Sequence, residues 1–203
     1  MSSRDYLNLS RGKDHNFPVG LKAAIYALAI PFCFLDDELS VQKGYKQPPT
    51  EELWAIAERA QRRSFQTSHL ETVQLCLLLL QKPPQNFAVA DTPSSWALVC
   101  SALAAAESLG LHLDPSSWRL PQHEIRLRRR VWWMLYVEHT WRAVVLGRPS
   151  HLNPDHWDVS KLHVNDFDME GDQEDGDFDL IPIQYIMALS EISMIADETL
   201  REL

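Results

Sequence analysis

Apolar residues recur at helical spacing along almost the whole chain, and no run of alternating β-branched residues is long enough to build a sheet. That pattern predicts an all-α, multi-helix fold. A first helix starts near Val19, after Pro18, and runs towards Pro31. The thirteen-residue apolar stretch from Ala23 to Leu35 reads as a buried helix. It is shorter than the roughly 20 residues a bilayer crossing needs, and Asp36 and Asp37 follow where a signal peptide would carry small residues. The second helix has Thr50 as N-cap, Glu51 and Glu52 in the first turn where the dipole favours acids, and Leu53, Ile56, Ala57 and Ala60 on one face. The third opens with Ser68 and Glu71 at capping-box spacing and stops before Pro83 and Pro84. Its run from Leu75 to Leu80 is apolar all round, which predicts a central position.

The fourth helix begins at Thr92 with Pro93 in its first position and carries Trp96, Val99, Cys100 and Leu103 on one stripe. Gly110 can close it in the left-handed conformation, with Leu111 folding back onto the last turn. The fifth enters through Pro121 and extends to about Gly147, continuously apolar from Val131 to Val137, which makes it the long central helix of the fold. Six of the seven tryptophans lie between Trp96 and Trp157. Burying so many indoles requires large partner surfaces, so this half is expected to hold the main core. A last helix, from about Pro182 to the C-terminus, places Ile192, Ile195, Ala196 and Thr199 on one face. The expected organisation is a single domain over residues 1–203, with a mobile acidic loop over 164–179. Neither end carries a polar tail, which suggests a segment of a longer protein.

Lys and Arg total 19 against 28 Asp and Glu, a net charge of −9, but eight of the acids lie between Asp166 and Asp179. Without them the body sums to 19 − 20 = −1, which offers no field for a polyanion. Cys33, Cys76 and Cys100 all sit in apolar runs, as small buried side chains in a reducing compartment do, and a disulfide scaffold is excluded.

Chemical signatures are sparse. None of the seven glycines is spaced to cradle a phosphate, and there is no nucleophile elbow or paired-histidine zinc helix, so no catalytic residue is assigned. Asp36, Asp37 and Glu38 are similar to the metal-binding acids of all-α prenyl-diphosphate enzymes, but Ser40 stands where a further carboxylate is needed and the second metal motif is missing. They read as a solvated helix end. Asp166, Asp168, Glu170, Gly171, Asp172, Glu174 and Asp177 match the ligand spacing of a calcium loop. Gln173, the short Asp177 and Pro182 depart from that pattern, and the match reads as a by-product of acidic composition. Among the eight histidines, His151 and His156 with Asp155 have spacing that could bind a metal, yet surface or hydrogen-bonded roles fit better, and no metal or cofactor is assigned to this chain. Arg126, Arg128, Arg129 and Arg130 form the basic cluster. They are expected to lay their stems over apolar surface and pair with acids such as Glu124.

Three blocks make the middle of the chain recognisable. They are Ser95-Trp96-Ala97 through Ala104-Ala105-Ala106 to Leu109-Gly110-Leu111-His112-Leu113-Asp114, then Arg128-Arg129-Arg130-Val131-Trp132-Trp133, then Gly147-Arg148-Pro149. In this order and spacing they resemble the middle homology region of fungal zinc-cluster transcription factors, over a core from Ser94 to about Val159. The resemblance implies an all-α regulatory domain of a nuclear, DNA-bound parent protein, without catalysis, controlled by other transcription factors or co-regulators or by a small-molecule inducer, and not associated with membranes. It also implies that DNA is read by a six-cysteine module holding two zinc ions. Three cysteines, 43 and 24 positions apart, cannot form it, so zinc and DNA belong to a module outside this chain. Trp96, Gly110, Trp132, Trp133, Trp141, Gly147, Arg148 and Pro149 are the residues expected to form its architectural corner, with the Arg148 guanidinium bonding the last carbonyls of the long helix. The family's usual Asp-Arg pair past the double tryptophan is replaced by His139 and Thr140. Glu138, Trp141, residues 147–151 and the stretch Asp155-His156-Trp157-Asp158-Val159 look more like a subgroup of nitrogen-utilisation co-activators. The rival readings are a protein-interaction scaffold without a small-molecule ligand, a metal-dependent lyase or transferase resting on Asp36, Asp37 and the acidic run, and a free-standing DNA binder.

Overall fold

The computed structural model describes residues 17–37, 49–67, 69–84, 92–167 and 180–202. Among the described residues there are six α-helices and no strand beyond a bridge between Leu113 and Asp158. The chain divides into two compact units, residues 1–85 and 86–203.

The first unit packs α1 (Val19–Ala29), α2 (Thr50–Ser64) and α3 (Leu70–Leu80) against one another. Small residues set the α1–α2 approach. A Cβ on Gly20 would stand 2.5 Å from Ala60 Cβ and 3.0 Å from Leu75 Cδ2. Leu21, Ala23, Ala24 and Ala27 fill the core with Trp54, Ala57, Val73 and Cys76. The long buried helix expected from Ala23 to Leu35 is not what forms. After Ala29 the chain tightens into a 3₁₀ turn, Ile30–Leu35, because Pro31 has no N–H to give. Ile25, Tyr26, Phe32, Phe34 and Leu35 are exposed, so the stretch is buried only along its alanine face. Thr50 is the first helical residue and Pro49 the N-cap, with no side-chain cap bond. His69 caps α3, also without a side-chain bond, and Ser68 lies outside the described residues.

In the second unit the 25-residue α5 (Gln122–Leu146) contacts both α4 (Pro93–Ser108) and α6 (Ile181–Glu202). Thr92 Oγ1 accepts the Ser95 N–H at 3.4 Å, so the N-cap of α4 forms where Pro93 invites it. Two helices end by the same device. Leu111 N–H reaches Ala106 O at 2.9 Å and Gly110 N–H reaches Glu107 O at 3.0 Å, while Arg148 N–H reaches Ala143 O at 2.9 Å and Gly147 N–H reaches Val144 O at 3.3 Å. Both are Schellman closures, which require the left-handed backbone that Gly110 (φ 71°) and Gly147 (φ 60°) adopt.

Helix α6 departs from a simple amphipathic arrangement. Ile183, Ser190, Ser193 and Asp197 face inwards, whereas Ile181, Tyr185, Ile192 and Ile195, four positions on one helical stripe, are exposed. The acidic segment also starts later than its composition suggests. Val164–Phe167 is a 3₁₀ turn with Asp166 buried, because Arg129 Nη1 donates to Asp166 Oδ1 at 2.5 Å and the His163 N–H to Oδ2 at 2.9 Å. Residues 168–179, with the calcium-loop positions from Asp168 onward, lie outside the described residues, as does Glu38.

Candidate functional site

The paired tryptophans fix the centre of the second unit. Trp132 and Trp133 are each 1% exposed, and Trp157 lies against both, at centroid distances of 6.0 and 5.7 Å, the latter edge-on. Tyr136, one turn along α5, sits 5.3 Å from both Trp133 and Trp157. Each buried indole removes about 150–250 Å² from water, worth about 4–6 kcal/mol before entropy is counted. Edge-to-face contacts suit ring quadrupoles.

This aromatic hub is tied to the loop after Gly147 and to α6 by hydrogen bonds. Trp133 Nε1 donates to Ser160 O at 2.8 Å, and the Ser160 N–H donates to Asp114 Oδ2 at 2.7 Å. Asp114 also accepts the Ser116 N–H at 2.8 Å and lies 3.6 Å from Arg129. Burial disfavours its charged form, but the bonds from Ser116 and Ser160 outweigh that and hold the carboxyl well below the usual carboxylate range. At the other end of the loop Ser150 Oγ donates to Asp197 Oδ1 at 2.8 Å. Tyr136 Oη donates to Asp197 Oδ2 at 3.1 Å, and Arg201 stands 3.4 Å from the same oxygen. Burial, with the Asp197 charge beside it, pushes the Tyr136 phenol up and keeps it neutral. Trp141 Nε1 donates to Ser193 Oγ at 2.9 Å. Ser193 and Asp197 of α6 are therefore the acceptors for donors on α5 and its following loop.

Next to this network lies an open groove of about 620 Å³ between Tyr136 and Trp157 on one side and Met194 and Ile195 on the other. Lys161, Glu191, Glu198 and Arg201 give it a charged rim. Its size falls within the range of small-molecule sites.

The motif residues separate into two groups. Trp132, Trp133 and Trp141 serve the hub and the α5–α6 contact. Trp96 and Arg148 meet elsewhere, the guanidinium carbon 5.1 Å from the indole centroid, while the backbone N–H of Arg148 closes the helix. Gly110 abuts Trp118, and Pro149 is exposed beyond the Gly147 corner. The arginine cluster turns inward. Arg128 pairs with Glu124 at 3.0 Å and lies over Trp118, Arg129 holds Asp166 and Ser116, and Arg130 lies over Phe167.

Three donors that the sequence does not group come together beneath Trp96. His139 stacks obliquely 5.2 Å from Trp96 and 5.5 Å from His151, and Cys100 Sγ lies 3.4 Å from His151 Nδ1. His139 and Thr140, the positions that depart from the family pattern, are both fully buried, and neither His139 nitrogen nor Thr140 Oγ1 has a hydrogen-bond partner. Burial, with His151 nearby, lowers His139 to about 4 and leaves it neutral. Asp155 and His156 do not join His151. They form the exposed 3₁₀ turn Pro154–His156, where the Asp155 N–H is bonded to Asn153. Burial pushes the Cys76 thiol up to about 12 and raises the Cys100 thiol as well, and three cysteines do not fit a six-cysteine, two-zinc module. No described helix is long and apolar enough to cross a membrane.

Comparison with known proteins places these features. The family described as the fungal specific transcription factor domain matches residues 3–203. An uncharacterised transcriptional regulatory protein of Schizosaccharomyces pombe is 27% identical over 164 residues, 79% of this chain and 23% of that protein. The transcriptional activator protein DAL81 of Saccharomyces cerevisiae is 32% identical over 149 residues, 72% of this chain and 14% of its own length. Cutinase transcription factor 1 alpha of Fusarium vanettenii is 37% identical over 73 residues, 36% of this chain and 8% of that protein. The chain thus spans less than a quarter of the length of these relatives. No solved structure matches it.

Proposed function

The chain belongs to the fungal specific transcription factor domain family, and from that premise we propose that it is the regulatory domain of a nuclear transcription factor, controlling segments that read DNA and activate transcription elsewhere in the parent. DNA recognition falls to a zinc-cluster module outside this chain.

The observation that carries this reading is the polar seam between α5 and α6. Asp197 gathers Tyr136, Ser150 and Arg201, Ser193 accepts from Trp141, and the groove of about 620 Å³ opens beside them. Hydrogen bonds across a helix interface are directional, so a shift of α6 would break this bonded set. An effector in the groove would touch Tyr136 and Trp157 on one side and Met194 and Ile195 on the other, so its affinity would change if α6 moved. Only such a difference moves an equilibrium.

A second reading, a co-activator scaffold without a small-molecule ligand, is favoured by the exposed stripe Ile181, Tyr185, Ile192 and Ile195 on α6. Reporter transcription driven by the parent protein tests both. Met194→Trp, which fills the groove, is expected to lock the reporter response to inducing conditions, while Ile192→Glu on the stripe leaves it intact. The opposite result favours the scaffold, and a parent whose output is indifferent to deletion of the whole domain refutes a regulatory role.

A further inference from the structure

We propose that Cys100, His139 and His151 form a zinc site that joins α4, α5 and the loop after Gly147. It stands independently of the regulatory reading and departs from the expectation that the chain holds no metal.

One thiolate and two imidazoles are a donor set that suits Zn²⁺ and excludes the hard cations that prefer oxygen. The donor atoms all lie within 4.8 Å of one another. Cys100 Sγ and His151 Nδ1, at 3.4 Å, are already near the edge of about 3.6 Å that zinc–sulfur and zinc–nitrogen bonds subtend at a tetrahedral angle. His139 supplies the independent observation. Its ring is wholly buried, yet both nitrogens lack a hydrogen-bond partner, and unpartnered buried polar groups are rare because they forfeit their hydration. A metal bound to one of them uses that lone pair. Cys100 and His139 project from two packed helices, which fixes two donors, while His151 is exposed in the loop and leaves a path from solvent. A fourth position then takes water or an exogenous ligand. Burial raises the Cys100 thiol, an effect that Arg148 partly offsets, and the Asp197 carboxylate likewise partly offsets the burial and the nearby His151 that lower His139.

Cobalt titration of the metal-stripped 203-residue chain reads the site directly. One equivalent is expected to give a thiolate-to-cobalt charge-transfer band with intense tetrahedral visible bands, and zinc is expected to displace it and raise the melting temperature. Cys100→Ser removes the charge-transfer band, and His151→Gln weakens zinc binding by about a hundredfold or more. Circular dichroism verifies that both variants are folded. Should Cys100→Ser not fold, His151→Gln, altered only at an exposed loop position, carries the test. Absence of the charge-transfer band, or unchanged zinc affinity in a folded variant, overturns the site. Binding of cuprous ion without binding of zinc overturns the zinc assignment.

Discussion

Gly110 and Gly147 do the same backbone task in different surroundings, and the difference is measurable. A Cβ at Gly147 meets nothing within 4 Å, so Gly147→Ala carries only the left-handed strain, about 1 kcal/mol. At Gly110 the new Cβ would lie 3.0 Å from Trp118 Cη2, on the ring that Arg128 covers. Gly110→Ala is therefore expected to cost more, about 2 kcal/mol, when urea midpoints of the two variants are compared. An equal loss, or a larger one at Gly147, contradicts the packing described around Trp118. Both closures are legible in the sequence because few residues other than glycine accept that conformation. The Cys100–His139–His151 cluster is not, since its members come from two helices and a loop and share no local spacing. The one sequence signal is the replacement of the family's ion pair by His139 and Thr140, two polar residues just past the apolar run from Val131 to Val137.

Among the elements, α6 is one whose orientation the sequence leaves open. Periodicity shows Ile192 and Ile195 on one face, but it cannot say which face turns inward when the partner helix offers hydroxyl and indole donors instead of a purely apolar groove. Tyr136 and Trp141 supply those donors, and α6 answers with Asp197 and Ser193. Ile195→Glu is accordingly expected to change stability by less than about 0.5 kcal/mol. Asp197→Ala, which strands the Tyr136 and Ser150 hydroxyls, is expected to cost about 3 kcal/mol. Chemical denaturation followed by circular dichroism separates the two, and a large loss at Ile195 reverses the assigned orientation. The N-cap expected at Thr50 is displaced by one residue for a related reason. Capping residues announce a helix start only to within a residue or two, and Pro49 and His69 occupy the positions themselves.

For the second unit as a whole, acid stability follows from Asp114. Its folded-state carboxyl sits below the ordinary range, whereas in the unfolded chain it titrates near about 3.9. The unfolded state therefore takes up the proton first. The stabilisation is complete above that pH and is lost as the pH falls below it. Unfolding free energy measured from pH 7 downward is expected to fall below about pH 4, and more gently in Asp114→Asn, whose slope no longer includes this group. Identical slopes would remove Asp114 from the account. The two carboxylates have a joint consequence for the segment between Gly147 and Phe167. Asp197 buckles it near its start through Ser150, and Asp114 buckles it near its middle through Ser160. With Trp133 on Ser160 and Arg129 on Asp166 as further fastenings, such a strap does not peel from one end. Loss of either buckle leaves the other holding, so release requires α6 and the turn at Asp114 to give way together.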